Sequence, residues 1–176
     1  MKLGNKFVEL EKGIHDRISF DCGEEELNLF LKTQAVKHMK ARVSKTFVLP
    51  AAIPLSNEKY SICSFFTVAP SSIKKDSLPV KQAKKLPHYP VPVFLLAQLA
   101  VHIDCQGQNI GKITLIKALE FLWEINLQMP AFAIIVDCLN ENIERFYSKY
   151  GFHILCNENA KTRMFIPMKI VEQLFK

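Results

Sequence analysis

The chain has 176 residues, about one domain's worth; a chain of that length buries roughly 70% of its unfolded surface on folding. Hydrophobic residues make up 49% and charged residues 23%, which excludes a disordered chain. Lys plus Arg exceed Asp plus Glu by 23 to 17, a basic balance that suits an anionic partner without naming it.

No run of 18 apolar residues is present, so no membrane span is expected. The opening Met1 to Lys6 lacks the apolar stretch of a secretory signal. The five cysteines (Cys22, Cys63, Cys105, Cys138, Cys156) are odd in number and widely spaced, with no C-x-x-C pair or His-rich tract. Neither a metal site nor a disulfide framework is expected. A soluble protein of the reducing cytoplasm is the expectation.

From Glu24 to Ala41, Leu27, Phe30, Leu31, Ala35 and Met39 recur on one helical face. Glu24, Glu25 and Glu26 open that helix and Lys37 and Lys40 close it, the order the macrodipole favours. Ser44–Leu49 and Tyr60–Val68, rich in Val, Ile, Phe and Thr, read as strands. Ser71 to Pro90 is a polar, basic connection with prolines at 79, 87 and 90 and room for a short helix. Val91 to Val101 is nearly all apolar, as a strand buried on both faces is. A second long helix spans Ile110 to Leu127, with Ile113, Ile116, Leu119, Leu122 and Trp123 expected inward. Ala131–Cys138 reads as a buried strand and Glu141–Tyr150 as a short helix. Phe152–Leu155 and Arg163–Met168 read as two more strands. The mixed order predicts a single domain of α/β or α+β class.

One junction carries chemistry. The strand ending Leu99-Ala100-Val101 leads to Gln106-Gly107-Gln108-Asn109-Ile110-Gly111-Lys112, which opens a helix. Free N–H groups at such a helix start, with the dipole behind them, make an anion site. A P-loop is excluded: three residues rather than four lie between Gly107 and Gly111, and Ile113 stands where a hydroxyl should bind magnesium. The dinucleotide fingerprint G-x-G-x-x-G is absent too. Read alone, the loop fits an ordinary surface turn as well as an anion cradle.

About thirty residues on stands Asn140-Glu-Asn-Ile-Glu-Arg-Phe146-Tyr147-Ser-Lys-Tyr150-Gly151-Phe152. Phe146 and Tyr150 read first as core packing, and Tyr147 reads equally as a tyrosine facing solvent. His102 and His153 flank these motifs as ordinary core or surface histidines. Taken in order, the two motifs resemble the GNAT-fold acetyltransferases. Gln106 to Gly111 matches that family's pyrophosphate loop Gln/Arg-x-x-Gly-x-Gly/Ala, with Asn109 in place of the first Gly. Asn tolerates a left-handed backbone better than any residue but Gly, so the turn survives. The second motif matches Asn-x-x-Ala-x-x-Phe/Leu-Tyr-x-x-x-Gly-Phe, with Ile143 in the Ala slot.

The resemblance implies one domain over residues 1–176, a central mixed twisted sheet flanked by helices. It implies acetyl-CoA as cofactor, held by Leu99, Ala100 and Val101 through their backbone and by Gln106, Gly107, Gln108, Asn109, Ile110, Gly111 and Lys112 at the pyrophosphate. Asn140 and Phe146 belong to the same cofactor set. Tyr147 is implied as the acid that protonates the departing thiolate. A free phenol has a pKa of about 10, so it is protonated at neutral pH.

Further blocks resemble the acetyltransferase toxins of type II toxin–antitoxin modules, the TacT and AtaT kind. They are Phe20-Asp21-Cys22-Gly23, Leu27-Asn28-Leu29-Phe30-Leu31, Gln34-Ala35, Ser44 to Val48, Leu86 to Val93, Leu95 to Val101 and Phe165 to Met168. In the strand block Ala97-Gln98 replace the usual Gly-Arg. This second resemblance implies acetylation of the α-amine of an aminoacyl-tRNA, a ribbon-helix-helix antitoxin and a homodimer. An α-amine with a pKa of about 7.7–8.0 is partly neutral at pH 7, which suits an enzyme with no obvious base.

Charge placement agrees. Lys32 to Lys45 carries five cations and no acid, among them Lys32, Lys37, Lys40 and Arg42. Ser72 to Pro90 carries Lys74, Lys75, Lys81, Lys84 and Lys85 against Asp76 alone. Such segments fit an RNA backbone, and equally a solvated helix face and a solvated loop. Two other functions stay open: an acetyltransferase of a small-molecule or protein amine, and a GNAT-fold binding module weakened in catalysis by Asn109 and Gln98.

Overall fold

The computed structural model describes residues 1–176. The first half holds β1 (Val8–Glu9), β2 (His15–Asp16), α1 (Glu25–Leu29), a π turn (Phe30–Gln34), α2 (Ala35–Lys40), β3 (Lys45–Pro50) and β4 (Tyr60–Ile73). A 3-10 turn (Lys75–Ser77) and α3 (Val80–Ala83) lead to β5 (Val91–Val101) and a second 3-10 turn (Ile103–Cys105). Then come α4 (Ile110–Asn126), β6 (Ala133–Cys138), α5 (Glu141–Ser148), β7 (His153–Glu158), β8 (Lys161–Pro167) and α6 (Met168–Phe175). The strands follow the order β1-β3-β4-β5-β6-β8-β7, with β2 beside β4. Pairing is mostly antiparallel; β5 with β6 and β2 with β4 run parallel. This is the mixed, helix-flanked sheet that the family resemblance implies. No helix is long and apolar enough to cross a membrane.

The chain forms two compact units, one of Met1–Ala69 with Ala97–Ala118, the other of Pro70–Leu96 with Leu119–Lys176. In the first, Leu31, Ala35, Val48, Ile62 and Phe65 are buried, and Leu27, Phe30 and Met39 pack against them. The helical face read from Glu24 to Ala41 is therefore real, but the helix is not uniform. Residues four apart advance about 40° beyond a full α turn, so Ala35 and Met39 would drift off the face set by Leu27 and Leu31. The π turn underwinds the backbone between them and returns both to the core.

The face of α4 matches the one predicted at Leu119 and Leu122 and departs from it in the first half of the helix. Ile113 and Ile116 are exposed at 43% and 38%, while Ile110, Leu115, Ala118, Leu119 and Leu122 are buried with Thr114. Thr114 occupies the centre of that face because both of its hydrogen-bonding needs are met. Its hydroxyl lies 2.7 Å from the Ile110 carbonyl and 2.9 Å from Ser64 Oγ.

In the second unit, Val91, Val93, Ala133, Ile135 and Phe165 form a core with Ile73 and Leu78. Three elements have no counterpart in the sequence reading: β1, β2 and α6. Helix α6 buries Met168 and Val171 and exposes Ile170 and Leu174.

Candidate active site

The loop after β5 is built by backbone geometry. Gly107 and Asn109 both take left-handed conformations, at φ +76° and +60°, so Asn109 does hold the turn expected of it. The first bond of the helix is Ile113 N–H to the Asn109 carbonyl, at 3.1 Å. The backbone N–H groups from Gly107 to Lys112 find no acceptor in the chain. The first turn of α4 also carries no acid, so nothing competes for an anion at its positive end.

Side chains brace this loop from outside. Gln106 Nε2 donates to the Val101 carbonyl and to the Cys22 carbonyl, both at 2.9 Å. Asn28, 4% exposed, accepts the Cys22 N–H at 2.9 Å and donates to Asp21 Oδ1 at 2.8 Å. The Asp21 carbonyl accepts Ile103 N–H at 2.9 Å. Hydrogen bonds from Gly23 N–H and the Asn28 amide hold the Asp21 carboxyl below the ordinary range. The Phe20–Gly23 and Leu27–Leu31 blocks thus act through Asp21, Cys22 and Asn28 as the support of the loop, a role the sequence reading did not assign. Gln106 serves the same frame: both its side-chain amide bonds are internal, which leaves the backbone to meet a ligand. Leu99, Ala100 and Val101 end β5, whose register with β6 is confined to Val93–Leu95.

The tyrosine helix, in the second unit, is organised by side chains. Asn140 caps α5: its side-chain oxygen accepts Ile143 N–H at 3.0 Å, so that oxygen is committed to the helix end. At the other end Gly151, at φ +91°, reverses the chain, and Phe152 N–H returns to the Tyr147 carbonyl at 3.3 Å. That reversal lays the Phe152 ring 5.1 Å from the Tyr147 ring. Phe146 stands 5.2 Å from Tyr147 and 5.3 Å from Tyr150. Of the two readings of Tyr147, solvent-facing is overturned: the residue is 6% exposed. Phe146 is half-buried in this ring cluster.

The Tyr147 hydroxyl makes no hydrogen bond within the chain. Burial, then the neighbouring Cys138, pushes its pKa above the ordinary phenol value, because a phenolate is poorly solvated there. The phenol is a neutral proton donor with nothing of its own to donate to.

The basic residues split between the units. Lys37, Lys40 and Arg42 are exposed at the end of the first unit's helices, and Lys32 is half-buried in the π turn. Lys74, Lys84 and Lys85 are exposed and Lys75 is half-buried in the second unit. Lys45, counted in the first basic segment, is paired with Glu9 at 3.1 Å.

An anion-ready strand–loop–helix followed by a capped helix with a neutral tyrosine places the chain in the GNAT-fold class. No family model matches the chain. A probable toxin TacT from Sinorhizobium fredii is 25% identical over 173 residues, covering 94% of this chain and 92% of the relative. A crystal structure of a tyrosine-to-phenylalanine mutant of KacT superposes with a TM-score of 0.88 at 27% identity, covering 99% of this chain and all of that one. AtaT complexed with acetyl-methionyl-tRNAfMet gives 0.86 at 31% identity, covering 97% and 99%. A tyrosine-to-phenylalanine AtaT mutant bound to acetyl-CoA and the C-terminus of its antitoxin AtaR gives 0.80 at 26%, covering 97% and 98%. The chain belongs to the acetyltransferase toxins of the TacT and AtaT kind.

Proposed function

We propose that this protein transfers the acetyl group of acetyl-CoA to the α-amine of an aminoacyl-tRNA and thereby blocks that tRNA's use in translation. The observation that carries the reading is the run of uncommitted N–H groups from Gly107 to Lys112, in a chain that aligns over 97% of its length with a tRNA-bound AtaT. Residues 1–176 act as one catalytic domain in this reading. The loop amides and Lys112 hold the pyrophosphate, and the backbone of Leu99 to Val101 at the C-terminal end of β5 holds the pantetheine and thioester.

The amine attacks the thioester carbonyl as the neutral base. The C–S bond breaks, the sulfur leaves with the electron pair and takes the Tyr147 proton, and the proton that the attacking nitrogen sheds as the amide forms passes through solvent to restore the phenol. Burial suits Tyr147 to this task, since the phenol stays protonated across the working pH range. No side chain is needed to deprotonate the substrate when its amine has a pKa of about 7.7–8.0. The exposed cations Lys37, Lys40, Arg42, Lys74 and Lys84 fit an RNA backbone, with affinity that falls as salt rises.

A ribbon-helix-helix antitoxin, a homodimer and a cytoplasmic setting complete the reading. The AtaT–AtaR complex supports an antitoxin partner. The test is acetyl transfer from labelled acetyl-CoA to a mixed pool of charged tRNAs, beside a panel of polyamines and lysine peptides. Transfer to tRNA alone is expected; transfer to the panel alone would assign a small-molecule or protein amine instead.

A further inference from the structure

The second unit carries a cavity of about 600 Å³, within the range that encloses small ligands. Trp123 and Phe132 give it aromatic wall, and Lys81, Lys85 and Lys169 give it positive charge. The one acid among its lining residues, Glu172, is already paired with Lys176. Three cations therefore stand beside aromatic surface with no resident counter-charge. Gln82, also in the lining, has a buried side-chain oxygen with no donor, a group that natural structures normally satisfy.

These features together select one ligand chemistry. Lysine ammoniums hold a phosphate as point charges. An indole and a phenyl ring take the flat face of a base, whatever its identity. An amide oxygen accepts from an exocyclic amino group, which adenine, cytosine and guanine have and uracil lacks. An acidic peptide satisfies the lysines but leaves the rings and the Gln82 oxygen unmatched. We propose that this cavity binds a single unpaired nucleotide, its base against Trp123 and its phosphate among Lys81, Lys85 and Lys169. Where that nucleotide belongs to an RNA strand, the proposal deepens the tRNA-directed reading and rests on it; a free mononucleotide is the other source of the same chemistry.

The chain contains one tryptophan, so its fluorescence reports on this cavity alone. The full-length protein is titrated with AMP, UMP, ribose 5-phosphate, inorganic phosphate, a single-stranded oligoadenylate and an oligoglutamate peptide. The expected result is a saturable change with AMP or the oligonucleotide, at least tenfold weaker with UMP, ribose 5-phosphate and phosphate. The double variant Lys81→Ala/Lys85→Ala should weaken nucleotide binding at least tenfold with an unchanged melting temperature, both side chains being exposed. Saturation by AMP as tight as by the strand assigns a free mononucleotide; saturation by the strand alone assigns RNA. No saturable change with any nucleotide overturns the proposal. So does an equal response of the double variant, equal binding of phosphate and AMP, or preference for oligoglutamate. The readout needs no turnover, so a failed acetyl-transfer assay beside a positive titration would sink the enzymatic reading and leave this site standing.

Discussion

The loop from Gln106 to Lys112 and the helix from Glu141 to Ser148 contribute to one proposed reaction by opposite means. In the loop, the groups proposed to matter are main-chain N–H donors without an acceptor in the chain, and the side chains serve mainly to hold the backbone still. In the helix, a side-chain cap and a glycine reversal fix the two ends, and the one side chain proposed to carry the chemistry is packed among rings. A site made of backbone tolerates changes of side chain that keep φ and ψ. A site made of one phenol tolerates none.

The sharpest way to break this contrast is Tyr147→Phe. The substitution removes only the hydroxyl, which has no partner in the chain, so the core keeps its rings and the melting temperature should hold or rise slightly. If Tyr147 is the acid, kcat for acetyl transfer should fall by about 10²–10⁴-fold with acetyl-CoA affinity unchanged. A variant that transfers acetyl at the wild-type rate would remove the tyrosine from the mechanism. A variant that loses activity and stability together would make it a packing residue.

A second measurement tests how far burial governs the helix. Burial pushes Cys138 up to about 12, and Tyr147 is raised as well. Both groups have folded-state pKa values above their unfolded ones, so the stability held in their neutral forms is complete below the unfolded pKa values of roughly 8.5 for the thiol and 10 for the phenol. It is lost as pH rises through the folded values. Denaturant midpoints should therefore be flat from about pH 6 to 8 on this account and decline above 9. Cys138→Ala should make that decline shallower without moving its onset, because the buried thiols Cys22 and Cys63 are raised as well. Acetyl transfer, by contrast, should rise with pH toward a plateau near 8, following the substrate amine and not the tyrosine. An activity that falls between pH 7 and 9, while the fold persists, would contradict a phenol held protonated by burial.

How much of this was legible in the sequence follows the same division. The tyrosine helix was readable in extent and through its family resemblance, while the cap at Asn140, the buried ring of Tyr147 and the left-handed reversal at Gly151 came only with the structure. The long helix was readable in extent, and in orientation only at Leu119 and Leu122. Ile113 and Ile116 look like core residues, and Thr114 looks like surface until its hydroxyl is seen bonded to Ser64 and Ile110. Strands β1 and β2 are two residues each, too short for any alternation to register. The drift of Leu27, Leu31, Ala35 and Met39 around the helix was visible as numbers, and the π turn that corrects it was not. The frame of Asp21, Cys22 and Asn28 stayed hidden because hydrogen bonds between residues distant in sequence leave no period. The resemblance marked these residues; the geometry gives them their task.

The smallest expected effect is at Asn109, and it bears most directly on what the loop is made of. At φ +60° a non-glycine residue is strained, though Asn less than most. Asn109→Gly relieves that strain but widens the freedom of the unfolded chain, two terms of opposite sign and each below about 1 kcal/mol. Stability should therefore change little in either direction. Acetyl-CoA affinity by calorimetry should be kept or modestly improved, since the N–H groups stay in place and the position returns to the glycine of the family's pattern. Gly107→Ala supplies the counterpart: its added Cβ would meet nothing within 4 Å, so any loss of affinity there reports backbone conformation and not a clash. If Asn109→Gly instead weakens acetyl-CoA markedly while Gly107→Ala does not, the loop recognises its anion through the Asn109 amide, and the division between a backbone site and a side-chain site fails at the position where this chain departs from its family's pattern.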